Sequence, residues 1–279
     1  MAKRRIFVVF FMFMILFCFL LATSSFFKIK SVEVCFFDKN NNKIDIKTNL
    51  IYTSKAEIEN LTEVAKLDFG TSIFLIKTDK YFEDFEFKNP CAKLLSVYRV
   101  YPNKLVFNVY ERKPCYYILS NKNYYILDEE FKILKITDQA PQKLIEICAM
   151  SYYGQEIDFF ELFQILPSAF NEGQFLTENN LLLKSMVNTK NVLDQFELQS
   201  MDVVKLCIQD NYGIANIIFS TGPNYGVNFK IENVLNSYNK KLSLVLGEFQ
   251  KALIDNEQLK LSFGEFFVDD SFNVVWNNL

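Results

Sequence analysis

The chain contains no histidine. That excludes Ser-His-Asp and Cys-His catalysis and every metal site built on imidazole. Catalysis by Asp, Glu, Lys, Tyr or a Ser-Lys pair stays open. Glycine and proline are scarce, at 8 and 6 residues, so Gly-rich phosphate-cradling loops and long disordered segments are not expected. An excess of charge is also missing. The balance is 30 basic against 33 acidic residues, which leaves no global basic footprint for nucleic acid. The six cysteines, Cys18, Cys35, Cys91, Cys115, Cys148 and Cys207, show no CxxC spacing. Cys18 lies in an apolar run and the five others cannot all pair, so buried free thiols are expected rather than a disulfide framework.

Apolar material is present in quantity. Half of the 279 residues are hydrophobic and 30 are Phe, enough for one large core or two ordinary ones. Lys3, Arg4 and Arg5 precede an uncharged run of 22 residues from Ile6 to Phe27. As a helix rising about 1.5 Å per residue, this run covers roughly 30 Å, one hydrocarbon core. A cleaved signal peptide is the rival reading, because Ala22-Thr23-Ser24 suits a cleavage site, but the run exceeds a typical signal core. The expectation is a head at 1–5, an uncleaved span at 6–27 and the rest of the chain outside the cytoplasm. Lys28 and Lys30 follow the span, so the orientation bias is modest.

Behind the span the pattern predicts strand, helix, helix, strand, strand. "IKSVEVCFF" reads as a strand and Asp38 to Lys43 as a polar loop. "SKAEIENLTEVAKL" reads as a helix with Ser54 and Glu57 as a capping box, stopped at Gly70. "SIFLI" is a short apolar strand or turn. Thr78 caps a second helix, "DKYFEDFEF", with Tyr81, Phe82 and Phe85 on one side, and Pro90 ends it. "CAKLLSVYRV" and "KLVFNVYE" form a hairpin turned at Pro102-Asn103. It closes at Glu111-Arg112, because Pro114 removes a ladder donor. A three-stranded sheet under two helices fits this order. From 113 onward, "CYYILS", "YYILDE", "FKILKI" and "KLIEICA" read as strands. "IDFFELFQIL" and "ENNLLLKSMVNTKNVLDQF" read as helices. "MDVVKLCIQD", "NYGIANIIFS" and "YGVNFKI" read as a meander with turns at Asn211-Gly213 and Thr221-Asn224. A long amphipathic helix follows at about Glu232 to Ile254, then the strands "LKLSF", "EFFVDD" and "FNVVWNNL". The fold class is α+β, with a mostly antiparallel sheet in the second domain.

The stretch from 70 to 114 carries a resemblance. Arg99, Pro102, Leu105, Val109, Glu111-Arg112 and Pro114 follow the pattern of a basic residue, a proline three on, an apolar strand and E-R-x-P. "GTSIFLI" and Asn89-Pro90 fall at matching places, and Cys91-Ala92 departs where valine is usual. Placed behind one apolar span, this resembles the POTRA domain of the bacterial cell-division family FtsQ, also called DivIB. "YYILDEEFKIL" is similar to the family's next hairpin, with Asp128 kept and Phe131 where glycine is frequent. The resemblance implies a POTRA domain at 28–112 and a C-terminal β domain at 113–279. It implies a non-enzymatic scaffold in the cytoplasmic membrane at the division septum. Such a scaffold links early and late division proteins and recruits the small coiled-coil pair FtsB and FtsL to regulate septal peptidoglycan synthesis. It also implies partner binding by strand addition at the chain's end. Glu265, Phe266, Asp269 and Trp276 match the family's acidic, apolar, acidic and aromatic positions, with Phe267 and Val268 between them. Phe266, Phe267, Val268 and Trp276 are the expected partner contacts. Arg99, Pro102, Glu111, Arg112 and Pro114 are the expected domain junction, structural rather than catalytic.

Candidates for chemistry have blander readings. Asp128-Glu129-Glu130 and Asp269-Asp270 read as solvated turns, and "STGPN" at Ser220 reads as a turn without P-loop spacing. Tyr116, Tyr117, Tyr124 and Tyr125 read as half-buried strand aromatics. Lys240-Lys241 reads as the solvated face of the long helix. No cofactor, metal or nucleic-acid partner is expected. Two alternatives remain: a membrane-anchored cell-wall enzyme or substrate-binding protein, and another POTRA-bearing envelope assembly component. The latter class needs repeated units or a barrel.

Overall fold

The structure is a computed structural model. It describes residues 2–38, 42–44, 52, 55–66, 68–163, 170–177, 180–196, 203–211, 214–221, 227–255 and 263–278. The chain divides into two compact units, Met1–Arg112 and Lys113–Leu279. The fold is α+β with mixed sheets.

The first unit begins with helix α1, Ala2–Thr23. Its apolar side chains from Phe7 to Leu20 are exposed. Among the described residues no helix is long and apolar enough to cross a membrane. The helix starts and stops four residues earlier than the expected 6–27. Ser24 begins a separate 3-10 turn at Ser25–Phe27, where its side chain accepts from the Phe26 N–H at 3.2 Å. Strand β1 (Ser31–Phe37) pairs with a short strand β2 (Lys43–Ile44), which the sequence pattern did not predict. Helix α2 (Lys55–Lys66) follows; its expected cap at Ser54 lies outside the described residues. Helix α3 (Lys80–Lys88) is preceded by Asp79 at the cap position, so Thr78 is not the cap. Tyr81 and Phe85 of α3 are buried whereas Phe82 is exposed, correcting the expected three-residue apolar face.

Strands β3 (Ala92–Val100) and β4 (Lys104–Glu111) form the expected hairpin around Tyr101–Asn103, with a cis Tyr101-Pro102 bond. The sheet order is β2-β1-β4-β3, with β1 and β4 parallel because two helices intervene. It has four strands rather than three. Phe36, Phe85 and Phe107 are fully buried, and Phe107 packs against Tyr81 and Phe85 at ring distances of 5.1 and 6.2 Å. Each such ring contributes about 1.5–3 kcal/mol of burial.

In the second unit ten strands form one mixed sheet. They are β5 (Tyr116–Ser120), β6 (Asn123–Leu127), β7 (Ile133–Thr137), β8 (Ile145–Met150), β9 (Glu156–Ile157), β10 (Val203–Asn211), β11 (Ile214–Thr221), β12 (Val227–Ile231), β13 (Gly264–Val268) and β14 (Val274–Asn278). The order is β14-β13-β12-β11-β10-β8-β5-β6-β7, with β9 beside β8. Most neighbours are antiparallel. The parallel exceptions are β5–β8, β8–β10 and β12–β13. "LKLSF", expected as a strand, lies almost wholly outside the described residues.

The helices depart from expectation in length. Phe159–Leu162 forms a short α4. The single helix expected at 178–196 is two, α5 (Leu181–Met186) and α6 (Thr189–Gln195), because Asn188 takes a left-handed φ of 79° between them. The long helix α7 runs over Tyr238–Asp255. It starts six residues late because Asn233 and Ser237 sit at positive φ, 49° and 53°. One disulfide, Cys148–Cys207, corrects the expectation of free thiols only. Parallel pairing of β8 and β10 sets the two residues opposite each other, with Cα atoms 4.7 Å apart. Their separation of 59 residues gave no local signal.

A single turn design recurs. At Asp38–Asn42, Asp128–Lys132, Ser151–Gln155 and Asp269–Asn273, the first residue's N–H donates to the fifth residue's carbonyl at 2.8–3.2 Å. The fifth residue's N–H donates back to the first residue's side-chain oxygen. At Asp128–Lys132, Ser151–Gln155 and Asp269–Asn273 the fourth residue is left-handed: Phe131 at 60°, Gly154 at 79° and Phe272 at 65°. A type I turn followed by a left-handed residue is a standard hairpin closure, usually with glycine there. Phe131 holds this dihedral because its ring is fully buried and stacks on Tyr116 at 5.2 Å. Phe131→Gly should relieve about 1 kcal/mol of backbone strain but lose about 3 kcal/mol of burial, a net loss near 2 kcal/mol. Lys143 has the same φ of 60° and an exposed side chain. Lys143→Gly should therefore stabilise by about 0.5 kcal/mol. Urea unfolding of the two variants checks the opposite signs; a loss in both would mean the dihedral is not strained.

Candidate functional site

The last hairpin, β13–β14, ends the large sheet, and among the described residues no strand pairs with the outer side of β14. The register sets Gly264 against Asn278, Phe266 against Trp276 and Val268 against Val274. The Asp269 N–H donates to the Asn273 carbonyl at 3.2 Å. Hydrogen-bonded pairs alternate along an antiparallel ladder. Val275 and Asn277 therefore point their N–H groups inward, and Val274 points its N–H outward. The edge thus offers main-chain groups for a further strand.

Side chains divide by face. Phe266 and Val268 are buried under α7. They are buried because β13 lies between β12 and β14 and its inward side chains form core. Phe249 stands over Phe266 at 5.4 Å, Phe229 lies 6.2 Å from it, and Trp276 tilts against it at 4.7 Å. Trp276 is half-buried and lies across Gly264, where an added Cβ would meet its ring at 2.2 Å. Phe267 points to the other face, beneath the Lys230 ammonium at 5.8 Å. Val275 is exposed on β14. Glu265 is half-buried; burial raises its carboxyl above the ordinary range, with Lys230 opposing.

The hairpin is tied down by residues that sequence reading passed over. Lys241, expected on a solvated face, is 0% exposed. Its ammonium donates to the Asp270 carboxylate at 2.5 Å and to the Glu232 carbonyl at 2.7 Å. Lys240, the next residue, is exposed and lies over the Phe272 ring at 4.4 Å. Asp270 also accepts from the Asn233 and Asn236 side-chain amides at 2.8 and 3.3 Å. The Lys241 hydrogen bond, with the amides, holds the Asp270 carboxyl below its ordinary value. Asp269 is lowered too, chiefly by the Asn273 side-chain amide and N–H. Asp269 thus serves the turn's own N–H groups, and Asp270 ties the turn to the start of α7. Asp128, likewise read as solvated, is buried and accepts from the Glu130 and Lys132 N–H groups at 2.9 and 2.8 Å. Tyr116 and Tyr125 are buried, while Tyr117 and Tyr124 are half-buried and 5.8 Å apart. Ser220 and Thr221 end β11, and the rest of the turn expected at "STGPN" lies outside the described residues.

The junction residues lie in the first unit or at its exit. The exposed Arg99 on β3 donates from its guanidinium to the Ile76 carbonyl. Glu111 and Arg112 are both buried. The Glu111 carboxylate accepts from the Tyr52 N–H at 2.7 Å, and the Arg112 N–H donates to the Cys91 carbonyl at 2.8 Å. Pro114 follows the end of β4 and precedes β5. Among the described residues no group of three or more Cys, Asp or Glu could hold a metal ion.

With this geometry in place, the likeness to known proteins can be read. Part of the chain is similar to a cell-division protein. Over 97 residues it is 33% identical to the cell division protein DivIB of Clostridium acetobutylicum. The match covers 35% of this chain and spans about 37% of the relative's length. No protein-family model matches the chain. The partial likeness supports a DivIB-like relationship for that part of the chain.

Proposed function

We propose that this chain is a non-enzymatic scaffold of the division machinery, anchored by its N-terminal helix in the cytoplasmic membrane at the septum. In this reading 28–112 is a POTRA domain and 113–279 a β domain outside the cytoplasm. The partners are small coiled-coil proteins of the FtsB and FtsL kind, which dock as an added strand on β14. The observation that carries the partner surface is the outer side of β14, unpaired among the described residues and backed by the buried Phe249 and Phe266 with the half-buried Trp276. The uncharged run from Ile6 to Phe27 supports the anchor.

Val274→Pro separates partner binding from folding. It removes an outward N–H and leaves the β13–β14 ladder intact. Pull-down with a purified FtsB-like partner should show affinity reduced about tenfold or more, with an unchanged unfolding midpoint. Wild-type affinity in the folded variant would move the interface away from β14. Val268→Pro is not a usable test, because β13 is bonded on both sides and the Val268 carbonyl also accepts from the Glu232 N–H at 3.1 Å.

A further inference from the structure

Exposed apolar surface on the first unit gathers where three segments meet. Phe26, Phe74, Leu75 and Tyr101 are 58%, 43%, 70% and 57% exposed. Main-chain hydrogen bonds hold the segments together. The Ile73 N–H donates to the Phe27 carbonyl at 2.8 Å, Ile29 to Thr71 at 2.9 Å and Lys30 to Asn103 at 2.9 Å. The rings of Phe26, Phe27, Phe74 and Tyr101 then form a row with successive centroids 5.1, 5.0 and 5.4 Å apart. Phe27 is half-buried and packs on the unit's core, so the row is rooted rather than loose.

Position and charge say what covers this row. It begins three residues after α1 ends, and the Ser24 N–H still bonds the Leu20 carbonyl at 3.0 Å, so the helix runs directly into it. Rings at the end of an apolar helix are what the bilayer–water interface accommodates, because their faces are apolar and the tyrosine hydroxyl stays wet. Segments 24–32, 69–78 and 98–103 contain Lys28, Lys30, Lys77 and Arg99 and no acidic residue. The three lysines are exposed. Each such cation near an anionic membrane adds attraction.

We propose that Phe26, Phe74, Leu75 and Tyr101 form a seat for the headgroup region of an anionic bilayer, with Lys28, Lys30 and Lys77 facing the lipid phosphates. The seat rests on the membrane-anchor reading. It fixes the first unit against the lipid surface instead of leaving it to swing on a tether.

The test uses the full chain in phosphatidylglycerol vesicles with lipids brominated high on the acyl chain. The natural chain has one tryptophan, so indoles introduced by Leu75→Trp or Tyr101→Trp are read by difference. A control, Lys43→Trp, sits on β2 beside Phe37, about 20 Å along β1 from Ser31 at ~3.3 Å per residue. Flotation with the vesicles and loss of most of the new emission at positions 75 and 101, with the control unquenched, is the expected result. Flotation with no quenching at either position overturns the seat and leaves the anchor standing; a protein partner would then be the row's occupant. A chain that does not float overturns the anchor and the seat together.

Discussion

Asp270→Ala is expected to destabilise the second unit by about 3 kcal/mol. The cost comes from what is left behind. Lys241 is fully buried at the start of α7, and its ammonium would keep the Glu232 carbonyl, a longer contact to the Asn233 carbonyl at 3.4 Å and the Phe272 ring at 5.8 Å, none of them an anion. A buried charge that loses its counter-ion costs more than the pair was worth. Lys241→Met should cost less, about 1–2 kcal/mol, because Asp270 is 45% exposed and keeps its two asparagine amides. Urea unfolding followed through Trp276, which sits in the same hairpin, checks the ranking. If Lys241→Met proves the more damaging, the lysine stem rather than its charge holds the hairpin. The pH dependence has a definite sign. Asp270 and Asp269 are held below their ordinary value of 3.8. Their contribution is therefore complete above that pH and is lost as pH falls through the lower folded values. The Asp270→Ala variant should lack part of that acid-side loss.

Gly264→Ala is expected to cost a similar amount, about 3 kcal/mol, for a steric reason. The added methyl would meet the Trp276 ring at 2.2 and 2.3 Å and the Asn277 carbonyl at 2.7 Å. The ring cannot tilt inward, because Phe266 already lies 4.7 Å away. In a Trp276→Ala background the same change should cost only about 1 kcal/mol, leaving a coupling near 2 kcal/mol. Equal costs in both backgrounds would assign the clash to the Asn277 backbone. Because Trp276 is on β14, Gly264→Ala should also weaken partner binding if that strand is the docking edge.

The elements that the sequence made legible depend on local patterning. The β3–β4 hairpin around Pro102, the two helices of the first unit, the meander from β10 to β12 and the terminal hairpin follow from alternation, apolar stripes and turn residues. These forces act within a few positions and leave a trace there. Interruptions were less legible. The break between α5 and α6 depends on Asn188, and the late start of α7 depends on Asn233 and Ser237, single left-handed residues within helix-compatible sequence.

Burial of charge was decided by tertiary structure alone. Lys240 and Lys241 are adjacent and chemically identical, but the helical turn of about 100° per residue sends one into solvent and the other into the β13–β14 turn. The counter-ion Asp270 arrives from 29 positions away. Glu111 finds the Tyr52 N–H across 59 positions, and Cys148 meets Cys207 across the same distance. Phe131 and Phe272 occupy dihedrals that favour glycine; the buried ring holds Phe131 there, and Phe272 lies under the Lys240 ammonium. By itself the sequence determined most of the strands and helices and the uncharged apolar run ahead of them, but not β2, the split of α5 from α6 or the start of α7. Which charged residues became internal struts, and which strand ends the sheet among the described residues, depended on contacts between distant segments, and short-range periodicity carries no record of those.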